Sequence, residues 1–355
     1  MAKELWKGNE AIAEAAVQAG CMYFFGYPIT PQNEIPEYMA SRLSEVGGCF
    51  LQAESEIAAI NMVYGAAGAG ARVMTSSSSP GISLKSEGIS YIAGAELPCV
   101  IVNIARGGPG LGSIQPSQSD YFQACKGGAH GDFRSIVLAP GSVQEAVELV
   151  QEAFDIADQY RNPVLILGDG VLGQMMEPAE FEGVKKRDLP KKTWATDGRR
   201  GKREKNVINS LFIDASACYE HNLHLQEKYR KIQEKEIKVE TFNLEGAEIV
   251  FAAFGTTARI VRSSITLLGK EGIKAGLVRP ITVWPFPTST FEAVANLDHV
   301  RAFLSVEMNM GQMVEDVRLA VNGKKPVNFY GKSGGMVPTP GEIVEKTKAV
   351  LGGVI

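Results

Sequence analysis

The chain has 355 residues, 45% of them hydrophobic and 21% charged, and a formal net charge of −4. That length supports about two domains with a substantial core, and the charge gives no field that would recruit nucleic acid or an anionic membrane. No run of about 18 apolar residues occurs and the amino terminus lacks the apolar core of a signal peptide, so no membrane span is expected and the expected compartment is the cytoplasm.

In chain order, the first predicted helix runs through "EAIAEAAVQA", with Asn9 as its cap and Gly20 as its stop. The apolar run "MYFF" follows as a strand and ends in the loop "GYPITP". A helix near "NEIPEYMASRLSEV", the strand "CFLQA", the small-residue helix "SEIAAINMVYGAAGAG" and the strand "RVMTSSS" come next. Then follow the helix "ISLKSEGISYIAGAE", the strand "PCVIVNIA", a Gly-rich loop, the strand "SIVLAP", the long helix "SVQEAVELVQEAFDIADQY" and the strand "PVLILGD". The strands are near-continuous apolar runs rather than alternating ones, as a parallel sheet covered on both faces requires. Residues 1–182 therefore predict a doubly wound parallel α/β domain.

Residues 183–245 break the rhythm. "VKKRDLPKKTWATDGRRGKREK" holds ten basic residues against three acidic ones and predicts a charged, solvated linker. Residues 246–355 read as a second, smaller α/β domain: the strands "EIVFAAFG", "KAGLVRPITVWPFP", "VRAFLSVEM" and "VNFYGK" alternate with helices, the last beginning at "TPGEIVEKTKAV".

Several motifs are near misses. "GKS" at Gly331–Ser333 would need glycine where Pro326 stands to complete a P-loop. "GDG" at Gly168–Gly170 resembles the diphosphate and Mg²⁺ motif of thiamine enzymes, but no asparagine follows before Asn206, so Asp169 reads as a strand-end residue. His130, His221, His224 and His299 show no ligand spacing beyond the His221/His224 pair, which lacks a third donor. Cys21, Cys49, Cys99, Cys125 and Cys218 include no CxxC pair, so no metal or iron–sulfur site is expected in this chain.

What remains lies at strand ends. The "YPITP" loop follows the first strand of the sheet, "ESEIAAI" opens the helix after the second, and "ARGGPG" follows the fourth. Open parallel sheets bind ligands beyond the carboxyl ends of their strands, so Thr30, Glu56 and Arg106 are candidates for one polar site. Singly, each also has a structural role open to it: Thr30 as a capping hydroxyl, Glu56 as a helix-dipole partner, Arg106 as a cap on loop carbonyls.

Together these motifs resemble the alpha-type subunit of the 2-oxoacid:ferredoxin oxidoreductases. "YPITP", "SEIAAINMVYGAAGAGARVMTSSSSPGISL", "ARGGPG" and "QPSQSD" are similar to that family's pyrimidine-binding domain, and "FGTTAR" and "VRPITVWPFP" to its transketolase carboxy-terminal-like domain. Around Gln32 and Asn33, "GYPITPQNEIPEYM" most resembles the branched-chain form, which acts on 3-methyl-2-oxobutanoate (2-ketoisovalerate). The resemblance implies oxidative decarboxylation of a 2-oxoacid to acyl-CoA and CO₂, with coenzyme A as co-substrate and electrons passing to external ferredoxin. It implies thiamine diphosphate shared between chains, the pyrimidine held here and the Mg²⁺ and diphosphate held by a beta-type subunit. It also implies a gamma-type subunit and a ferredoxin-like iron–sulfur subunit, with the [4Fe–4S] clusters outside this chain. By the same resemblance Glu56 hydrogen-bonds the pyrimidine N1′ and favours its imino tautomer. Pro28, Ile29 and Thr30 lie against the cofactor, and Thr30 and Arg106 meet the substrate carboxylate. Two alternatives are the same chemistry on 2-oxoglutarate or pyruvate, and a non-catalytic assembly subunit.

Overall fold

The computed structural model describes residues 3–199, 201 and 203–353. Its first part holds β1 (Glu4–Lys7), α1 (Gly8–Gln18), β2 (Tyr23–Gly26), α2 (Glu34–Glu45), β3 (Cys49–Gln52), α3 (Glu56–Gly68), β4 (Val73–Ser77) and α4 (Pro80–Gly94). It continues with β5 (Cys99–Ala105), β6 (Ile136–Leu138), α5 (Val143–Tyr160), β7 (Pro163–Asp169), α6 (Gly170–Gln174) and β8 (Met176–Ala179). After α7 (Ala215–Lys235) come β9 (Val239–Phe242), β10 (Ile249–Ala252), α8 (Thr257–Lys270), β11 (Ala275–Pro280) and β12 (Thr282–Trp284). The chain closes with α9 (Thr288–Ala295), β13 (Ala302–Glu307), α10 (Met313–Val321), β14 (Val327–Gly331) and α11 (Pro340–Leu351).

The larger sheet has the order β12-β6-β7-β5-β4-β2-β3 and is parallel except for β12. Its central strands β5 ("CVIVNIA") and β7 ("PVLILGD") are buried along their whole length, which explains their unbroken apolar character. α5 covers them with Val143, Val147, Val150, Phe154 and Ala157, spaced for one helical face. It starts where Ser142 Oγ accepts the Glu145 N–H at 3.2 Å and stops at left-handed Arg161. The smaller sheet, β14-β13-β10-β11-β9, is parallel except for β9 and has its own core around Phe251, Leu277, Leu304 and Ile343. The fold is thus a doubly wound parallel α/β domain with a smaller α/β domain.

Three local expectations differ from the structure. Asn9 lies inside α1 rather than capping it, and its Nδ2 donates to the Pro31 carbonyl at 2.8 Å and to Glu34 Oε2 at 2.6 Å. A short strand, β1, precedes that helix and pairs antiparallel with β8. "KAGLVRPITVWPFP" is not one strand: the ladder with β9 ends at Pro280, and after Ile281 the segment β12, stopped by Pro285, leaves the smaller sheet to pair with β6 of the larger one.

Within residues 183–245, α7 packs against the larger domain. Leu225, Tyr229 and Ile232 of α7 are buried there, and much of the charge is paired, with Arg187 bonding Glu236 at 2.6 and 2.7 Å and Lys192 bonding Asp158 at 2.6 Å. β9, at the end of this stretch, joins the smaller sheet beside β11.

Candidate active site

In the larger sheet the chain runs from β2 outward to β3, then crosses to the other side of β2 to enter β4. The loops beyond β2 and β4 therefore part in opposite directions and leave a crevice between them, the usual ligand position in an open parallel sheet. The YPITP loop follows β2, and the turn from Ser77 to Pro80 follows β4.

Glu56 is the first residue of α3 and only 6% exposed. Ser55 caps the helix by accepting the Ala58 N–H at 3.2 Å, and the carboxylate lies at the positive end of the helix dipole. Gly81, in the first turn of α4, makes room for it. A Cβ at that glycine would collide with Ser77 Oγ and stand 2.9 Å from Glu56 Oε1.

Arg106 follows β5 and is 8% exposed. Its NH1 donates to the Thr30 carbonyl at 3.0 Å and its NH2 to the Leu111 carbonyl at 3.3 Å. The structure thus joins Arg106 to the YPITP loop through Thr30's backbone. Beneath it, Ser79 Oγ accepts the Arg106 N–H at 3.0 Å and donates to Asp120 Oδ2 at 2.7 Å, while Asn103 Oδ1 accepts the Ser79 N–H at 3.1 Å. These bonds hold Ser79 at φ 22, a conformation rarely adopted by a residue with a side chain. Burial pushes the Asp120 carboxyl above the ordinary aspartate range, against the bonds from Ser79 and Asn103.

Within the loop, Pro28 is exposed and Ile29 and Thr30 are half-buried. Gln32 is fully buried: Ser76 Oγ donates to its Oε1, and its Nε2 reaches the Tyr27 carbonyl at 3.4 Å. Glu34 closes the loop by accepting from Lys7 Nζ at 2.6 Å, Asn9 Nδ2 at 2.6 Å and Gln174 Nε2 at 3.0 Å. A cavity of about 520 Å³ opens beside it, lined by residues that include Thr30, Pro31, Asn33, Glu34, Ile114 and Gln174. Glu56 and Arg106 do not line this cavity.

Ser79 and Lys85 (fully buried on α4) are site neighbours that motif reading misses, and Gln32 entered that reading only as a mark of the branched-chain form. Only the "SSSSP" turn advertised any of them, because clustered hydroxyls at a strand end signal local hydrogen bonding. Among the described residues, Ser77 Oγ, Ser78 Oγ and Arg106 Nε are buried without a hydrogen-bond partner.

The remaining candidates have structural roles. Asp169 caps α6 by accepting the Val171 N–H at 2.8 Å, and it receives the Thr256 hydroxyl from the smaller domain. Lys332 of the "GKS" stretch pairs with Glu342 at 2.6 Å. His221 bonds the Gly94 carbonyl at 2.7 Å, and His224 faces Glu96 at 3.0 Å. Cys21, Cys49, Cys99, Cys125 and Cys218 are free; burial pushes the Cys21 and Cys99 thiols up to about 12. Among the described residues no group of three or more His, Cys, Asp or Glu side chains gathers to hold a metal, and no helix is long and apolar enough to cross a membrane.

The family described as "Pyruvate flavodoxin/ferredoxin oxidoreductase, thiamine diP-bdg" matches residues 14–242, and "Pyruvate:ferredoxin oxidoreductase core domain II" matches residues 247–343. The chain belongs to this oxidoreductase family. It falls among the alpha-type subunits, and its larger domain is the family's thiamine diphosphate-binding domain. It is 50% identical over 352 residues to ketoisovalerate oxidoreductase subunit VorB of Methanothermobacter thermautotrophicus, covering 99% of each chain. It is 36% identical to 2-oxoglutarate synthase subunit KorA of Methanothermobacter marburgensis, covering 96% of this chain and 97% of that one. Among solved structures, 2-oxoglutarate:ferredoxin oxidoreductase from Magnetococcus marinus, with 2-oxoglutarate, coenzyme A and succinyl-CoA bound, superposes with a TM-score of 0.87 at 27% identity. That match covers 98% of this chain and 65% of the other.

Proposed function

We propose that this chain is the alpha-type subunit of a complex that converts 3-methyl-2-oxobutanoate to acyl-CoA and CO₂ and passes the electrons to ferredoxin. One observation supports the reading: Arg106 bonds the Thr30 carbonyl, and Glu56 lies beside Gly81 in the first turn of α4, in a chain sharing half its residues with a ketoisovalerate subunit. Residues 1–182 form the pyrimidine-binding unit, residues 246–355 the transketolase carboxy-terminal-like unit, and residues 183–245 join them.

When bound, thiamine diphosphate supplies the electron sink for loss of CO₂ from a 2-oxoacid. The crevice suits its pyrimidine, because Gly81 leaves a cradle beside Glu56 and the Ser77 and Ser78 hydroxyls have no protein partner. Glu56 would hold the proton at the pyrimidine N1′, and its fixed place at the head of α3 keeps that hydrogen bond aligned. Pro28, Ile29 and Thr30 would form the adjoining wall. Arg106 has five N–H donors, of which two are engaged with carbonyls, so its partnerless Nε and remaining hydrogens can take the substrate carboxylate near Thr30.

The adjoining cavity favours a branched apolar substrate. Ile114, Pro31 and Val171 line it, and among the described residues its lining holds no lysine or arginine and one charged side chain, Glu34. The second carboxylate of 2-oxoglutarate would find no counter-charge there and would face a like charge.

The beta-type subunit, bringing Mg²⁺ and the diphosphate contacts, would cover the outer faces of α3 and α4, where Ile57 is 50% and Leu84 is 52% exposed. A gamma-type subunit and a ferredoxin-like subunit carrying the [4Fe–4S] clusters complete the cytoplasmic complex, with coenzyme A as co-substrate and external ferredoxin as acceptor. Turnover of the reconstituted complex on a 2-oxoacid panel tests the reading. Expected is a kcat/KM for 3-methyl-2-oxobutanoate at least about tenfold above those for 2-oxoglutarate and pyruvate, as a well-fitted apolar pocket allows. Preference for either of the others would refute the substrate assignment, and no thiamine-dependent turnover at all would favour an assembly subunit.

A further inference from the structure

Lys85 is a fully buried lysine outside the set that binds cofactor or substrate. It lies one helical turn beyond Gly81 on α4, and so on the face of that helix that meets Glu56 and Ser77. Its Nζ donates to Thr75 Oγ1 at 2.7 Å and to the Ser76 carbonyl at 2.9 Å. The Ser76 hydroxyl in turn donates to Gln32 of the YPITP loop. β4 thus offers Lys85 two neutral acceptors and no carboxylate. Glu56, from α3, lies against Gly81 one turn before Lys85, where its charge favours the ammonium form.

A buried ammonium held by neutral oxygens carries a large desolvation penalty, which a nearby carboxylate offsets. We propose that Lys85 is a positioning residue, the internal counter-charge that fixes the Glu56 carboxylate at the head of α3 while anchoring, through Ser76, the Gln32 end of the YPITP loop. This rests on the reading of Glu56 as the carboxylate that meets the pyrimidine. Burial brings the Lys85 ammonium down to about 7, with Glu56 acting in the opposite direction, so the counter-charge is lost just above neutrality. The sign for stability follows. Below about 7 the folded chain bears the full cost of the buried charge; between there and 10.5 the unfolded chain holds a proton that the folded chain has released, so stability rises with pH.

The test compares Lys85→Met, Lys85→Gln, Glu56→Gln and the Lys85→Met/Glu56→Gln double variant in the assembled complex, and measures melting against pH on the full chain. Lys85→Gln keeps N–H donors for Thr75 and Ser76 but no charge, and it serves if the methionine variant does not fold. Expected is about a tenfold fall in kcat for either lysine variant, with KM within about twofold and the parent's alkaline limb above about pH 7 gone. The double variant should be no slower than Glu56→Gln alone. From about pH 6 to 9 the parent should gain stability relative to Lys85→Met. Full turnover of Lys85→Gln, multiplicative losses in the double variant, or parallel melting curves would each overturn the proposal. Normal turnover of Glu56→Gln would instead remove the reading on which it rests.

Discussion

Arg106 is a buried charge tied by its side chain to two loop carbonyls, and in the proposed function it meets the substrate carboxylate. Its guanidinium spans the Thr30 and Leu111 carbonyls, an arrangement a planar fork can make and a single ammonium cannot reproduce. Arg106→Lys should therefore raise the KM for the 2-oxoacid by about ten- to hundredfold, in keeping with loss of a charge-assisted bond, and change kcat less. Steady-state kinetics on the complex would show this, and an unchanged KM would count against the role. Glu34 governs the far end of the same loop. Burial works against its ionisation, yet the bonds from Lys7, Asn9 and Gln174 bring its carboxyl below its usual 4.5. It therefore contributes stability above that value and loses it as pH falls through its lowered range in the folded chain. Glu34→Gln should flatten the acid side of the melting-temperature curve; identical acid limbs would contradict this. The positions of Thr30 and Arg106 after strands and of Glu56 at a helix start were legible in the sequence, because such ends announce themselves locally. Lys85 was not, since in a one-dimensional reading it is one more polar residue on a helix, and only the packing of α4 against α3 and β4 buries it.

The seam between α3 and α4 places Glu56. Gly88 allows the two helices to close, since a Cβ there would lie 2.5 Å from Ile60 Cγ2, and Gly81 leaves space for the carboxylate itself. Gly81→Ala should leave the fold standing, because alanine is the better helix former by up to about 1 kcal/mol, while displacing Glu56 or Ser77. A misplacement of about an ångström at such a site costs on the order of a hundredfold in turnover. Folding judged by circular dichroism and melting should persist with kcat reduced; full activity would show that the cradle is not needed. The long strands and helices were legible from apolar runs and 3.6-residue spacing. β1, β8 and β12 were not: they are three or four residues long, and each pairs with a strand more than a hundred residues away. The same holds for Asn9, which makes a good cap by residue type but is drawn off by Pro31 and Glu34.

At the scale of the molecule, the two sheets are clasped rather than merely linked. β12 crosses to the larger sheet, and Arg279, just before it, pairs with Glu145 of α5 and with Glu240 of β9. "QPSQSD" is the seam on the site side. Gln118 Oε1 accepts the Thr257 hydroxyl at 2.8 Å and the Met308 N–H at 3.1 Å, and its Nε2 donates to the Phe254 carbonyl at 2.9 Å. The smaller domain also meets the Arg106 loop, where a Cβ on Gly107 would lie 3.0 Å from the Gly334 carbonyl carbon. The charged stretch is composed like a solvated linker, but pairing with acidic partners such as Asp158 and Glu96 ties part of it to the larger domain. This frame brings a carboxylate, a guanidinium and partnerless hydroxyls to the carboxyl ends of the larger sheet's strands, and in the proposed function these are half of a site that a second chain completes. The most direct test is thiamine-dependent turnover of 3-methyl-2-oxobutanoate by the reconstituted complex carrying Glu56→Gln. The expected result is intact assembly with kcat lowered about 10²–10⁴-fold; assembly with near-parental kcat would contradict the account.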